Sequence, residues 1–189
     1  MPDIINELYR CGLIQFGLFD DAPIRLSFKL LPSYPRLLKK VAENFVFLIN
    51  ETNTESPYEK LLCDINSLSL TTLVSQSTGI PVIYAQDRHS SAAHDFVGAY
   101  DVGHKTALIC NVWRGEADRH ELIEKAERGG LIITDVLTIL DLRSTPSEPA
   151  VRVASLWTIE QLLEDLLDEH LINTRQVQLV TEWKPTTPE

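Results

Sequence analysis

Short apolar runs alternate with helical stretches along most of this chain, and that alternation limits the possible folds more than any other feature. Residues 60–63, 81–85, 105–110, 131–140 and 151–157 read as strands, the fourth rich in β-branched residues. Helical stretches cover 69–77, ending at Gly79, then 116–128, stopped by Gly129-Gly130, and a segment opened by a Thr158-x-x-Gln161 capping box with apolar Ile159, Leu162, Leu163, Leu166 and Leu167. Strands separated by helices build a mostly parallel sheet covered on its faces.

Ahead of this repeating part, 4–13 reads as a helix. Two short strands around 16–19 and 24–28 follow, joined by an Asp20-Asp21-Ala22-Pro23 turn. Leu37, Leu38, Val41, Ala42, Phe45 and Ile49 then recur at helical spacing, with Lys39, Lys40, Glu43 and Asn44 opposite, a long amphipathic helix for which Ser33 is the expected cap. A last helix is expected over 173–183, and 184–189 reads as a disordered tail. The 189 residues, 44% hydrophobic and 23% charged, suffice for one domain with a sizeable core, placed at 1–183.

Charge and cysteine usage exclude several function classes. A formal net charge of -10 without a basic cluster disfavours nucleic acid and anionic membrane surfaces, where clustered Lys and Arg must neutralise phosphate. No segment reads as a membrane span or a signal peptide, so a cytoplasmic location is expected. Cys11, Cys63 and Cys110 are far apart, which indicates neither a disulfide framework nor a zinc site, and they are expected reduced and buried. For Cys63 and Cys110 the plain reading is small apolar residues filling strand ends, and a redox role is the alternative. His89, His94 and His104 read as surface histidines because no partner stands at helical metal spacing; no metal site is expected. Asp135 and Asp141 read as ordinary strand-end polar residues.

The stretch from Thr106 to Gly130 has the strand-loop-helix order that holds a phosphate in open α/β sheets. Its connection is Asn111-Val112-Trp113-Arg114-Gly115-Glu116, with one glycine, an indole and a carboxylate where an anion would lie. Amides converge on a phosphate only where small residues let the backbone approach it. Such a loop is expected not to cradle phosphate. Trp113 and Arg114 should either fill that space or face a partner, and Glu116 should complement the helix N-terminus instead.

Taken in order, five segments carry a family resemblance over nearly the whole chain: LYRCGLIQFGLF over 8–19, PIRLSFKLLPSYPRLL from Pro23, TGIPVIYAQD from Thr78, GAYDVGHKTALIC from Gly98 and SLWTIEQLLEDLL from Ser155. The chain resembles the orotate phosphoribosyltransferases, which are type I phosphoribosyltransferases. The resemblance implies a parallel α/β sheet flanked by helices, with a small hood built from residues 1–32 and the C-terminal segment. It also implies a homodimer.

The departures from the family pattern fall at its ligand-binding positions. The acidic pair that would hold ribose hydroxyls falls at Cys110-Asn111, and the phosphate loop at Trp113-Arg114-Gly115-Glu116. The pyrophosphate loop falls at Leu62 to Ser67, without glycine and with Asp64 placed to repel an anion. The mobile catalytic loop falls at Gln86 to His94, about two residues short and lacking lysine. Arg25, Ser27 and Lys29 stand where the family has Tyr, Asp and Arg. A base-contacting Asp-Arg falls at Asp141-Leu142, leaving Arg143 one position displaced.

No catalytic residue is therefore assigned. Ligand-binding positions by resemblance are Lys29, Arg88, Asn111, Arg114, Gly115 and Arg143. No cofactor is expected, and magnesium enters only if the chain is a working transferase. Two functions stand open: a non-catalytic binding or regulatory protein on this scaffold, or a transferase making orotidine monophosphate through substituted residues. Losing one preorganised donor can cost about 10²- to 10³-fold in rate, and several are missing in three loops, which favours the first. The pair of N-terminal strands before the first long helix argues against an unrelated doubly wound fold.

Overall fold

The computed structural model describes residues 2–19, 22–52, 57–85, 96–115, 120–143 and 151–183. The expected turn at Asp20-Asp21, the segment carrying Arg88, His89 and His94, Glu116 and the 184–189 tail lie outside the described residues.

The chain opens with α1 (Pro2–Arg10), followed by a hairpin of β1 (Ile14–Phe19) and β2 (Ala22–Leu26), paired antiparallel with Ile14 opposite Leu26. The second expected strand stops short of Phe28, which instead begins a 3₁₀ helix, Phe28–Ser33. Ser33 is therefore no cap for α2 (Pro35–Thr52): it closes the 3₁₀ turn, and Pro35 takes the first helical position. Proline suits that position, since its missing N–H has no intrahelical partner there in any case. The apolar stripe of α2 is buried as its spacing requires, at Leu37, Leu38, Val41, Ala42, Phe45 and Ile49.

The alternating part follows as β3 (Lys60–Asp64), α3 (Leu68–Thr78), β4 (Val82–Ala85), β5 (Phe96–Val97), β6 (Lys105–Trp113), α4 (His120–Arg128), β7 (Ile132–Asp141), β8 (Arg152–Thr158), α5 (Ile159–Asp168) and α6 (Thr174–Glu182). Six strands form one sheet in the order β5-β4-β3-β6-β7-β8, parallel throughout except for the short β5, which the sequence did not announce. Gly79 ends α3 at φ 74°, a left-handed conformation that glycine adopts without penalty, and its N–H returns to the Ser75 carbonyl. The Thr158–Gln161 capping box opens α5 as read, and an unanticipated second box, Asn173 with Gln176, opens α6.

Each face of the sheet has its own core. Ala107, Ile109, Leu137 and Ile139 point into a cluster with residues of α1, α2, α3, α5 and α6, whereas Leu62, Leu108, Cys110 and Val136 meet Leu122, Ile123 and Ala126 of α4. In the first of these layers α1 packs on α5 and α6 reaches β2, so N- and C-terminal segments together make the hood. The cysteines are free, as expected; Cys63 and Cys110 are buried, but Cys11 is only half-buried.

Asp135 is not a strand-end residue. It lies inside β7, buried, and pairs with Arg152 of β8, whose Nη2 also donates to the Thr52 carbonyl at 2.8 Å. The Tyr58 hydroxyl donates to Thr52 Oγ1 at 3.1 Å, and burial raises its pKa above the ordinary 10.0. This polar cluster fastens the end of α2 to β7 and to the edge strand β8. His104 is half-buried, its Nδ1 accepting from the Asp101 N–H at 2.9 Å.

Candidate functional site

In an open parallel sheet the concave end lies at the carboxyl ends of the strands, here Asp64 of β3, Trp113 of β6 and Asp141 of β7. Three arrangements of the chain's own groups occupy it.

The first is at β3. The connection to α3 is a single 3₁₀ turn, Ile65–Ser67, capped by Asp64, whose Oδ1 accepts from the Ser67 N–H at 3.0 Å. The amide that opens the helix is thus already bonded to the Asp64 side chain, which is 1% exposed. A carboxylate here is stabilised by the partial positive charge of the helix N-terminus and repels any second anion. Asp64 followed three residues on by Ser67 is a capping pattern legible in the sequence.

The second is at β6. A loop is expected from Asn111 onward; β6 instead continues to Trp113, because β7 supplies partners for its backbone, Val112 beside Leu140 and Trp113 beside Asp141. The Leu142 N–H extends the ladder to the Trp113 carbonyl at 2.9 Å. Asn111 is buried, and its Nδ2 donates to the Asn66 carbonyl at 3.0 Å, stapling the turn after β3 to β6. Trp113 is 0% exposed within the α4-side core, and its Nε1 has no hydrogen-bond partner among the described residues. Of the two placements open to Trp113, the structure has the packed one. Beyond it, Arg114 is exposed and Gly115 has φ 134°, a conformation in which a side chain would be strained.

The third is at β7. Arg143 does not stand free as a ligand-binding guanidinium. Its Nη2 donates to Asp141 Oδ2 at 2.7 Å, its Nε to Oδ1 at 3.0 Å, and its backbone N–H also to Oδ1 at 3.0 Å. Asp141 is thereby saturated by a residue two positions away.

The structure thus brings Asn111, Trp113, Asp141 and Arg143 onto adjoining strand ends, with Arg114 and Gly115 just beyond. Lys29 is exposed on the 3₁₀ turn Phe28–Ser33 of the hood, and Arg88 lies outside the described residues. Near the site, burial pushes the Cys63 thiol up to about 11, partly offset by a hydrogen bond with Thr71. The positions matching an acidic pair do not fit a magnesium-bound sugar phosphate: Cys110 is buried in the core, and Asn111 has committed its amide to Asn66.

A mostly parallel sheet, helices on both faces and a two-ended hood define the type I phosphoribosyltransferase fold. Solved structures sharing it include the UMP synthase of Leishmania donovani, at TM-score 0.83 and 18% identity over 95% of this chain, which spans 41% of that protein. The orotate phosphoribosyltransferase of Francisella tularensis matches at TM-score 0.72 and 15% identity, covering 95% of this chain and 96% of that one. The adenine phosphoribosyltransferase of Trypanosoma brucei, solved with AMP, pyrophosphate and ribose-5-phosphate, matches at TM-score 0.56 and 11% identity, over 84% and 80% of the two chains. At these identities the likeness is one of fold. No protein-family model matches the sequence.

Proposed function

We infer that this chain is a phosphoribosyltransferase-fold protein without phosphoribosyl transfer activity, serving as a binding or regulatory protein. The observation that carries this reading is the Asp64 carboxylate on the Ser67 N–H, at the strand-to-helix turn where the family resemblance places the pyrophosphate loop. A leaving pyrophosphate needs donors aimed at its developing charge; here the donor is spent on an internal acceptor, Asp64 Oδ1. The burial of Trp113 in the α4-side core supports the same reading, since a bulky side chain locked at this strand end leaves no small-residue turn there to converge on a phosphate.

The second reading is an active orotate phosphoribosyltransferase working through substituted residues. Its support is the fold likeness to the Leishmania UMP synthase and the Francisella enzyme. One experiment separates the two. Purified protein is incubated with orotate, phosphoribosyl pyrophosphate and magnesium, and orotidine monophosphate is followed by chromatography. The expected outcome is no product; turnover that Asn111→Ala abolishes would establish the second reading instead.

A further inference from the structure

Few side chains hold α6 to the rest of the hood. Within its nine residues only Val180 is buried, at 5% exposure; Val177 and Trp183, three residues to either side, are half-buried against the same core. The neighbouring α5 buries Ile159, Leu162, Leu163 and Leu166 over a similar length. The hydrogen bonds of α6 close on themselves: Asn173 and Gln176 cap each other's backbone, and Thr181 Oγ1 donates to the Val177 carbonyl at 2.9 Å. Among the described residues, no side chain of 173–183 bonds to or pairs with another element. Beneath the helix lies a cavity of about 60 Å³, walled by Leu142, Ile159 and Leu163 below and by Val180 and Trp183 above.

These features make α6 easy to undock. A gap beneath a side chain forfeits the contacts on that side, so Val180 is seated less firmly than its burial alone implies. Nor does a helix of nine residues persist by itself, because isolated helices shorter than about 12 to 15 residues are marginal in water. Undocking and melting of α6 are therefore one event, and with only apolar contact linking it onward the event stays local. We propose that α6 is a detachable cover, which opens as a unit while the sheet and α5 stay folded and uncovers the apolar seat of Leu142, Ile159 and Leu163. Leu142 directly follows Asp141, the last residue of β7, so the cover sets how much apolar surface the hood presents beside the carboxyl end of the sheet. This conformational device goes beyond the non-catalytic reading and does not depend on it.

Native-state hydrogen exchange, read by mass spectrometry on peptides from the two helices, tests the proposal. In the wild-type protein the amides of 178–182 should exchange on the order of 100-fold faster than those of α5. Val180→Asp should remove the remaining protection of α6 while α5 stays protected, since an undocked helix carries the new carboxylate into water. The same variant should enhance the fluorescence of anilinonaphthalene sulfonate, the probe for the uncovered seat, severalfold over the wild type. Equal protection of α5 and α6 in the wild type would overturn the proposal, because α6 would then open only with the whole fold. Loss of α5 protection or global unfolding in Val180→Asp, or unchanged probe fluorescence, would overturn it as well. Transferase turnover by the wild-type protein would defeat the non-catalytic reading and leave this exchange pattern as it is.

Discussion

Asn111 of β6 donates its side-chain amide to the backbone carbonyl of Asn66, across 3.0 Å and a sequence separation of 45 residues. The bond joins the turn after β3 to the neighbouring strand at the end of the sheet where ligands of this fold class are expected. The carboxamide is thus structural in the resting protein.

Removing it should cost stability. Asn111→Ala leaves the Asn66 carbonyl without that donor, and a net loss of about 1 kcal/mol is expected, the usual worth of one such bond. Urea unfolding followed by circular dichroism measures it, and a midpoint equal to the wild type would show that water replaces the bond without loss.

Trp113 should be among the most sensitive positions in the α4-side core. Truncating a fully buried indole to alanine is expected to cost about 3 to 5 kcal/mol through lost burial and the cavity left behind. Trp113→Phe should cost clearly less, because it keeps most of the apolar volume and deletes an N–H that makes no hydrogen bond among the described residues. Comparable losses in the two variants would mean that the indole N–H is satisfied in solution.

Alkaline pH should destabilise the protein in a window set by Cys63. Its thiol has a folded-state pKa of about 11 against an ordinary 9.0, raised by burial. The unfolded chain releases this proton first, so the contribution is fully present below pH 9 and is lost as pH rises toward 11. By linkage, a shift of this size corresponds to about 2 to 3 kcal/mol. Tyr58, also raised by burial, adds to the decline at the upper end. Urea midpoints at half-unit steps from pH 8 to 11 should fall less steeply for Cys63→Ala than for the wild type. Parallel curves would contradict the assignment.

Assembly is a separate expectation, carried by the family resemblance. We expect a homodimer in solution at micromolar concentration. Multi-angle light scattering at two or more concentrations decides the point, and a mass of one chain throughout would refute it.

Much of the fold was legible because its signals are local. The apolar stripe of α2, the Gly79 stop after α3 and the Thr158–Gln161 box of α5 each act within a few residues, so spacing and residue type predict them without knowledge of the rest. The strand runs are likewise local, and with helices between them a parallel sheet is the natural solution. What only the tertiary structure decided is where groups far apart in sequence meet. Asn111 to Trp113 look like a loop in isolation. They are strand because β7 offers backbone partners at Leu140 and Asp141, and because the α4-side core accepts the indole. Asp135 looks like a strand-end residue until Arg152 is found beside it in register. Arg143 counts as a candidate ligand contact in the sequence, yet its guanidinium is already held by Asp141. Backbone pairing across a sheet and the burial of charge depend on long-range neighbours, and no local pattern encodes them.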